Sequence, residues 1–306
     1  MMTKILRRTL PVVFIGLTLP LSGSALAQTD NAAPATKKAS QEVADQVDKT
    51  AQKRVQQARK VVLKDAVTAV KKTRQAIQAL DDKQPDKALT YLSEATGKLE
   101  LVLAREPDLA LAPIAVDVRS HDLLGGVEDV KAAVDQAEDL LEDGRVQEAR
   151  ALIDDLTSEI VISTTEVPLG TYPDAIKAAT PMIDEGKTDQ ARQMLSDALD
   201  TLVVSDLVIP LPMLRAEALL DQAQAMVEPA DQQAKASQSS IDKTKLDNLM
   251  SGVRQQLKLA ETLGYGNKQT YQSMYDSLDK LSQKAGEGGM SSNWFQEIKD
   301  KVSQMI

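Results

Sequence analysis

Three stretches of this chain follow one spaced template, and that repetition constrains the fold more than any other feature. Aligning Ala88, Ala149 and Ala191 brings Ala76, Ala137 and Ala179 together twelve positions earlier. Leu80, Leu141 and Ile183 coincide eight earlier, and Lys83, Gly144 and Gly186 five earlier. Downstream, Leu92, Ile153 and Leu195 align at four, Ala95, Leu156 and Ala198 at seven, and Leu99, Ile160 and Leu202 at eleven. Pro107, Pro168 and Pro210 align at nineteen. Apolar positions spaced by three and four lie on one helical face. The turn position separates two such faces, and Gly144 and Gly186 can take the positive φ that ends a helix. Each copy therefore predicts a helical hairpin, with small alanines allowing close approach and the shared proline stopping the second helix.

The copies are separated by 61 and 42 residues. That irregular spacing differs from the steady period of about 34 in tetratricopeptide repeats, which the small–large pattern resembles only generically. It predicts a compact bundle of three hairpins with long proline-containing connections, not a solenoid. Alanine-rich, aromatic-poor composition, with aromatics at 3%, agrees with an all-α fold. Two β-branched stretches, Val161–Thr165 and Val203–Ile209, are candidates for one short two-stranded β element. A long helix is expected over about residues 41–81. Further helices are expected near 241–263 and from Tyr271 to Leu281, before a glycine-linked terminal helix over 286–306. The expected division is 1–27 leader, 28–42 disordered tail, 43–229 repeat-built domain, 230–285 C-terminal helices and 286–306 terminal helix.

The first 27 residues read as a secretory signal peptide. Lys4, Arg7 and Arg8 precede a short apolar run, and Ala25 and Ala27 occupy the small-residue positions of a cleavage site. A transmembrane anchor would need about 20 apolar residues, and this run is shorter and interrupted by Pro11, Gly16 and Pro20. The expected location is the periplasm, with no stable membrane insertion after leader removal. Without the leader, 33 basic residues stand against 45 acidic ones, a formal charge of −12. Such a chain repels phosphate backbones, so no nucleic-acid partner is expected. The basic run from Lys49 to Lys64 carries no aromatic residues and reads as a solvated helix face.

Chemistry is sparsely signalled. With no cysteine and one histidine, thiolate zinc sites, cysteine nucleophiles and multi-histidine metal sites are impossible. No cofactor or metal is expected. Ser120, His121 and Asp122 are adjacent, and neighbours on a helix do not face one another, so they form no relay. His121 is instead a candidate pH sensor, against the plainer reading of a surface or packing histidine. Ten acids against three basic residues between Asp117 and Glu148 read as a solvated face opposite Val127, Val130, Val134, Ala137 and Leu141. Gly264-Tyr265-Gly266 and the glycines at 286–289 read as helix punctuation. Trp294 and Phe295 either dock the last helix or form a partner-binding surface.

Several segments resemble the YfdX family of bacterial proteins: Glu106 to Ile114, Glu166 to Pro173, Ile209 to Leu214, and Gly264-Tyr265-Gly266. The resemblance covers roughly residues 61–281 and implies a mostly helical, exported, self-associating protein linked to stress responses, with members in gene clusters associated with heat and acid tolerance. It implies no catalytic residue. The expectation is therefore a non-enzymatic, homo-oligomeric stress-tolerance protein that binds proteins, including stress-unfolded envelope clients, in the manner of a holdase. Tyr172, Pro210, Leu211, Pro212, Trp294 and Phe295 are its candidate binding surface. The alternative is a periplasmic small-molecule-binding helical module. Export also removes ATP from the mechanism, so protection would be passive.

Overall fold

The computed structural model describes residues 34–227, 242–286 and 292–305. The expected leader, with Ala25 and Ala27, lies outside them. Among the described residues the chain is mostly helical, as expected, with a small three-stranded antiparallel sheet.

Helix α1 spans Pro34–Lys60 and begins inside the stretch 28–42 expected as a tail. The expected continuous helix to Asp81 is broken at Val61–Leu63, and α2 restarts at Lys64–Asp81. The cause is tertiary: Leu63 is extended, and its N–H donates to the Pro113 carbonyl at 2.8 Å instead of to its own helix.

Three helix pairs follow, each leading into a strand. They are α2 with α3 (Pro85–Arg105), then β1 (Leu111–His121); α4 (Val127–Glu142) with α5 (Val146–Asp154), then β2 (Glu159–Pro168); and α6 (Tyr172–Asp184) with α7 (Thr188–Asp200), then β3 (Val203–Pro210). Each pair turns on one left-handed residue: Lys83 at φ 58°, Gly144 at 73° and Gly186 at 74°. The next amide reaches back to the same relative carbonyl each time, Gln84 to Ala79, Arg145 to Leu140 and Lys187 to Met182, all at 2.8 Å. These bonds satisfy carbonyls that the ending helix leaves open.

The strands pair antiparallel in the order β1-β2-β3, with Val118 opposite Ile162 and Ile162 opposite Leu207. The expected two-stranded element thus gains a third strand. β1 occupies the stretch expected as a proline linker followed by an acidic helix, because Ile114, Val116 and Val118 alternate with Ala115, Asp117 and Arg119. Pro113 is tolerated because β1 is an edge strand and its register shifts between Pro113 and Ala115.

Antiparallel pairing places the first and third helix pairs at one end of the sheet and the second at the other. Accordingly α3 packs on α6 and α2 on α7, around Leu92, Leu99, Ile176 and Leu195. At the other end, α8 (Leu211–Val227), α9 (Lys243–Thr262), α10 (Lys268–Gly286) and α11 (Ser292–Ser303) enclose a second core with Leu220, Tyr271, Met274 and Phe295. One sheet face, carrying Ile160, Ile162 and Ile209, joins them through Val43, Val47 and Ala51 of α1 and Leu214 and Ala218 of α8. In α4 the residue turned inward is Leu140, while Leu141 is exposed, a one-residue correction to the expected apolar face.

Candidate functional site

At the His121 end of the sheet, side chains from distant segments converge. Asp122 follows β1, Ser158 and Glu159 open β2, Arg215 lies on α8, and Tyr265 sits between α9 and α10. The Arg215 Nη2 donates to Asp122 Oδ2 at 2.6 Å, and the Ser158 Oγ donates to Asp122 Oδ1 at 3.0 Å. The Ser158 amide donates to the Tyr265 hydroxyl at 3.0 Å, which itself donates to Glu159 Oε2 at 2.8 Å. The Ser158 carbonyl accepts from the Leu211 amide at 2.8 Å. Arg215 and Ser158 are buried. Burial pushes the Tyr265 phenol well above its ordinary value, and the Glu159 carboxylate adds to that rise. Tyr265 therefore stays a neutral donor.

Gly264 and Gly266 flank Tyr265 at φ 85° and 74°. A Cβ at Gly266 would also strike the end of Met305. The glycines thus set the turn that delivers the phenol to Ser158, a role beyond helix punctuation.

His121 ends β1 and is exposed. It borders a shallow cleft of about 350 Å³ on the solvent face of the sheet, with Arg119, Glu159, Val161, Asp206 and Val208. Ser120 lines the same cleft. Asp122 is committed to Arg215 and Ser158, so the three neighbours form no relay.

The candidate binding residues fall elsewhere than on the surface. Tyr172, Pro210, Leu211 and Pro212 are buried, because the sheet, α6 and α8 close over the proline connections. Phe295 is fully buried in the second core, which is the docking alternative. The side chain of Trp294 lies outside the described residues. The large apolar side chains left exposed are others: Val204, Leu207 and Val208 on β3, and Leu124, Leu141, Val146 and Ile153 around α4 and α5, with Val61 and Leu101 besides. β3 is an edge strand with no neighbour on its outer side among the described residues. Its apolar character is visible in the sequence, but its edge position is not.

A second cleft, of about 450 Å³, runs between α6 and α7, lined by Tyr172, Ala175, Met182, Met194 and Ala198 with Gln190 and Gln193. The Tyr172 hydroxyl is buried beside Thr73 of α2. The Thr73 hydroxyl donates to the Ala69 carbonyl at 3.0 Å and keeps its lone pairs to accept from the phenol. Burial pushes the Tyr172 phenol up to about 12.

A third polar cluster joins α1, α8 and α11. Asp221 accepts from Gln46 at 2.5 Å and pairs with Lys299 at 2.5 Å. Burial raises the nearby Glu217 carboxyl, as does Asp221, against the opposing pull of Arg54 and Lys299. Among the described residues no group of three or more acidic or histidine side chains could hold a metal ion. No helix among them is long and apolar enough to cross a membrane.

Residues 69–208 match the family model described as YfdX protein, from within α2 to the later part of β3. No curated protein matches the chain. Among solved structures, YfdX from Salmonella Typhi is similar at 16% identity over 49% of this chain and 93% of that one, with a TM-score of 0.35.

Replacing Arg215 with Met leaves the Asp122 carboxylate without its cation and should lower stability by about 3 kcal/mol, measured by urea unfolding. Tyr265→Phe should cost about 1–3 kcal/mol by stranding Ser158 and Glu159. Glu217→Gln should raise the unfolding temperature at neutral pH. Its folded-state pKa lies above the unfolded one, so the ionised form opposes folding and the penalty vanishes as pH falls through the folded pKa. The advantage of Glu217→Gln should shrink on acidification in thermal scans.

Proposed function

We propose that this chain, a member of the YfdX family through residues 69–208, is a periplasmic heat- and acid-tolerance protein that works without catalysis by binding other proteins, as a holdase does. The observation that carries this reading is the edge strand β3. It offers an open row of backbone groups together with exposed Val204, Leu207 and Val208. An unprotected apolar edge is what unfolded segments join as an added strand. Folded monomers usually blunt such an edge with lysine, proline or a covering loop. Here Pro210 stands only at its end, and no basic residue lies between Val203 and Pro210. The acidic charge of the mature chain would keep a client-loaded form in solution.

The three helix–helix–strand units are copies of one template, joined by connections whose prolines limit the entropy lost on ordering.

A second reading, small-molecule binding, rests on the α6–α7 cleft and its apolar wall of Ala175, Met182 and Met194. A ligand seated there would cover that wall within reach of Gln190 and Gln193.

The mature chain should suppress light scattering by heated or acidified client proteins. The Val204→Lys, Val208→Lys double variant should lose most of that protection at unchanged unfolding temperature, since both side chains are exposed. A mature chain that leaves client aggregation untouched sinks the holdase reading. For the second reading, apolar compounds of a size to fill the cleft should raise the unfolding temperature of the native chain, and absence of any such shift counts against the cleft.

A further inference from the structure

The second helix pair has an uncovered face, and the other two pairs show what covers such a face. Within the shared template, the small positions are buried in every copy: Ala76, Ala137 and Ala179, then Ala88, Ala149 and Ala191. These hold the two helices of each pair together. The larger positions behave differently. Leu80 and Ile183, eight before the aligned alanine, and Leu92 and Leu195, four after it, are at most 6% exposed. Their counterparts in the second pair, Leu141 and Ile153, are each 47% exposed.

The difference follows from what each pair meets. The first and third pairs lie against one another with α3 on α6 and α2 on α7. The first helix of each thus rests on the second helix of the other, which is an approximate two-fold arrangement. An ion pair crosses this seam, Arg192 of α7 with Asp81 of α2 at 3.6 Å. The second pair, at the opposite end of the sheet, meets α9 along α4 but has no such mate over Leu141 and Ile153.

We propose that a second copy of this chain supplies it. The two α4–α5 pairs meet about a two-fold axis, with α4 of each on α5 of the other, and cover Leu141 and Ile153 as the internal seam covers Leu80 and Leu195. A two-fold contact requires one patch to be complementary to itself. The charges satisfy that condition at the position where the internal seam carries its ion pair. The template counterpart of Arg192 is Arg150, and that of Asp81 is Glu142. Arg150 of each copy therefore meets Glu142 of the other, twice per dimer. In the isolated chain Arg150 holds only a long contact, 3.5 Å, to Asp154 on its own helix. Nine acidic residues against three basic ones between Val127 and Asp154 oppose the approach at long range. The association should accordingly tighten, not weaken, as salt screens that repulsion.

This contact is independent of client binding at β3, and sedimentation equilibrium of the mature chain tests it. A monomer–dimer equilibrium is expected, tightening from low to high salt. Ile153→Asp and Leu141→Asp should each weaken it at least about tenfold, with the unfolding temperature unchanged in dilute solution where the chain is monomeric, because both positions are already half exposed. Arg150→Glu and Glu142→Arg should each weaken it, and the combined exchange should restore it. A chain that stays monomeric up to roughly 100 µM overturns the proposal. So does a dimer indifferent to Ile153→Asp, or a charge exchange without rescue. A monomer whose Ile153→Asp variant loses suppression of client aggregation assigns the face to clients and overturns it as well.

Discussion

The antiparallel ladder between β1, β2 and β3 dictates where everything else lies. Because β2 runs against both neighbours, the connection from β1 to β2 stays at one end of the sheet and that from β2 to β3 at the other. The helices in those connections are thereby sorted. α6 and α7 return to the end where α2 and α3 already stand, and the four merge into one core. α4 and α5 are left at the far end, where α4 leans on α9. A parallel arrangement of the same units would stack all three pairs alike. The exposure of Leu141 and Ile153 is a consequence of strand direction, not of a weaker sequence in the second unit.

The far end needs a different means of attachment, and the Asp122 network supplies it. Arg215 enters from α8 and Tyr265 from the turn before α10, and both reach backbone or side chains at the mouth of β2. Ser158 is the shared node, using its hydroxyl, amide and carbonyl on three partners. A buried arginine is costly unless its partners are fixed. The ladder fixes Asp122 and Ser158, and the paired glycines fix Tyr265. The second core is therefore positioned by directional bonds as well as by apolar packing, which alone would tolerate sliding.

The helices are legible in the sequence because their apolar spacing is local information. The sheet is less so. β2 and β3 are rich in β-branched residues and show themselves, whereas β1 hides its alternation behind Pro113 and a following run of acids. The break at Leu63 cannot be read at all, since its cause is a bond to Pro113, fifty residues away. Of the candidate site, Gly264-Tyr265-Gly266 stands out as a motif, but its purpose requires knowing that Ser158 lies within reach. Tyr172, Leu211 and Phe295 draw attention as large apolar residues near loops, and large apolar residues near loops are as often plugs as handles. The exposed β3 side chains draw none, because exposure depends on strand order, and strand order is not written locally.

The carboxylates divide by location in a way that bears on acid. Lys98 holds the Asp65 carboxyl below its usual range by a hydrogen bond, aided by Arg105, and so ties α2 to α3. Lys301 and Ser277 do the same for Glu297 between α10 and α11. Their contributions are present at neutral pH and are lost as pH falls through their lowered folded values. Asp48 of α1, raised by burial and by Asp45, and Glu217 of α8, raised by burial and by Asp221, have the opposite sign. Protonation relieves them. Acid thus loosens ties within the two helical cores while easing the charges along α1 and α8, the helices that clasp the sheet.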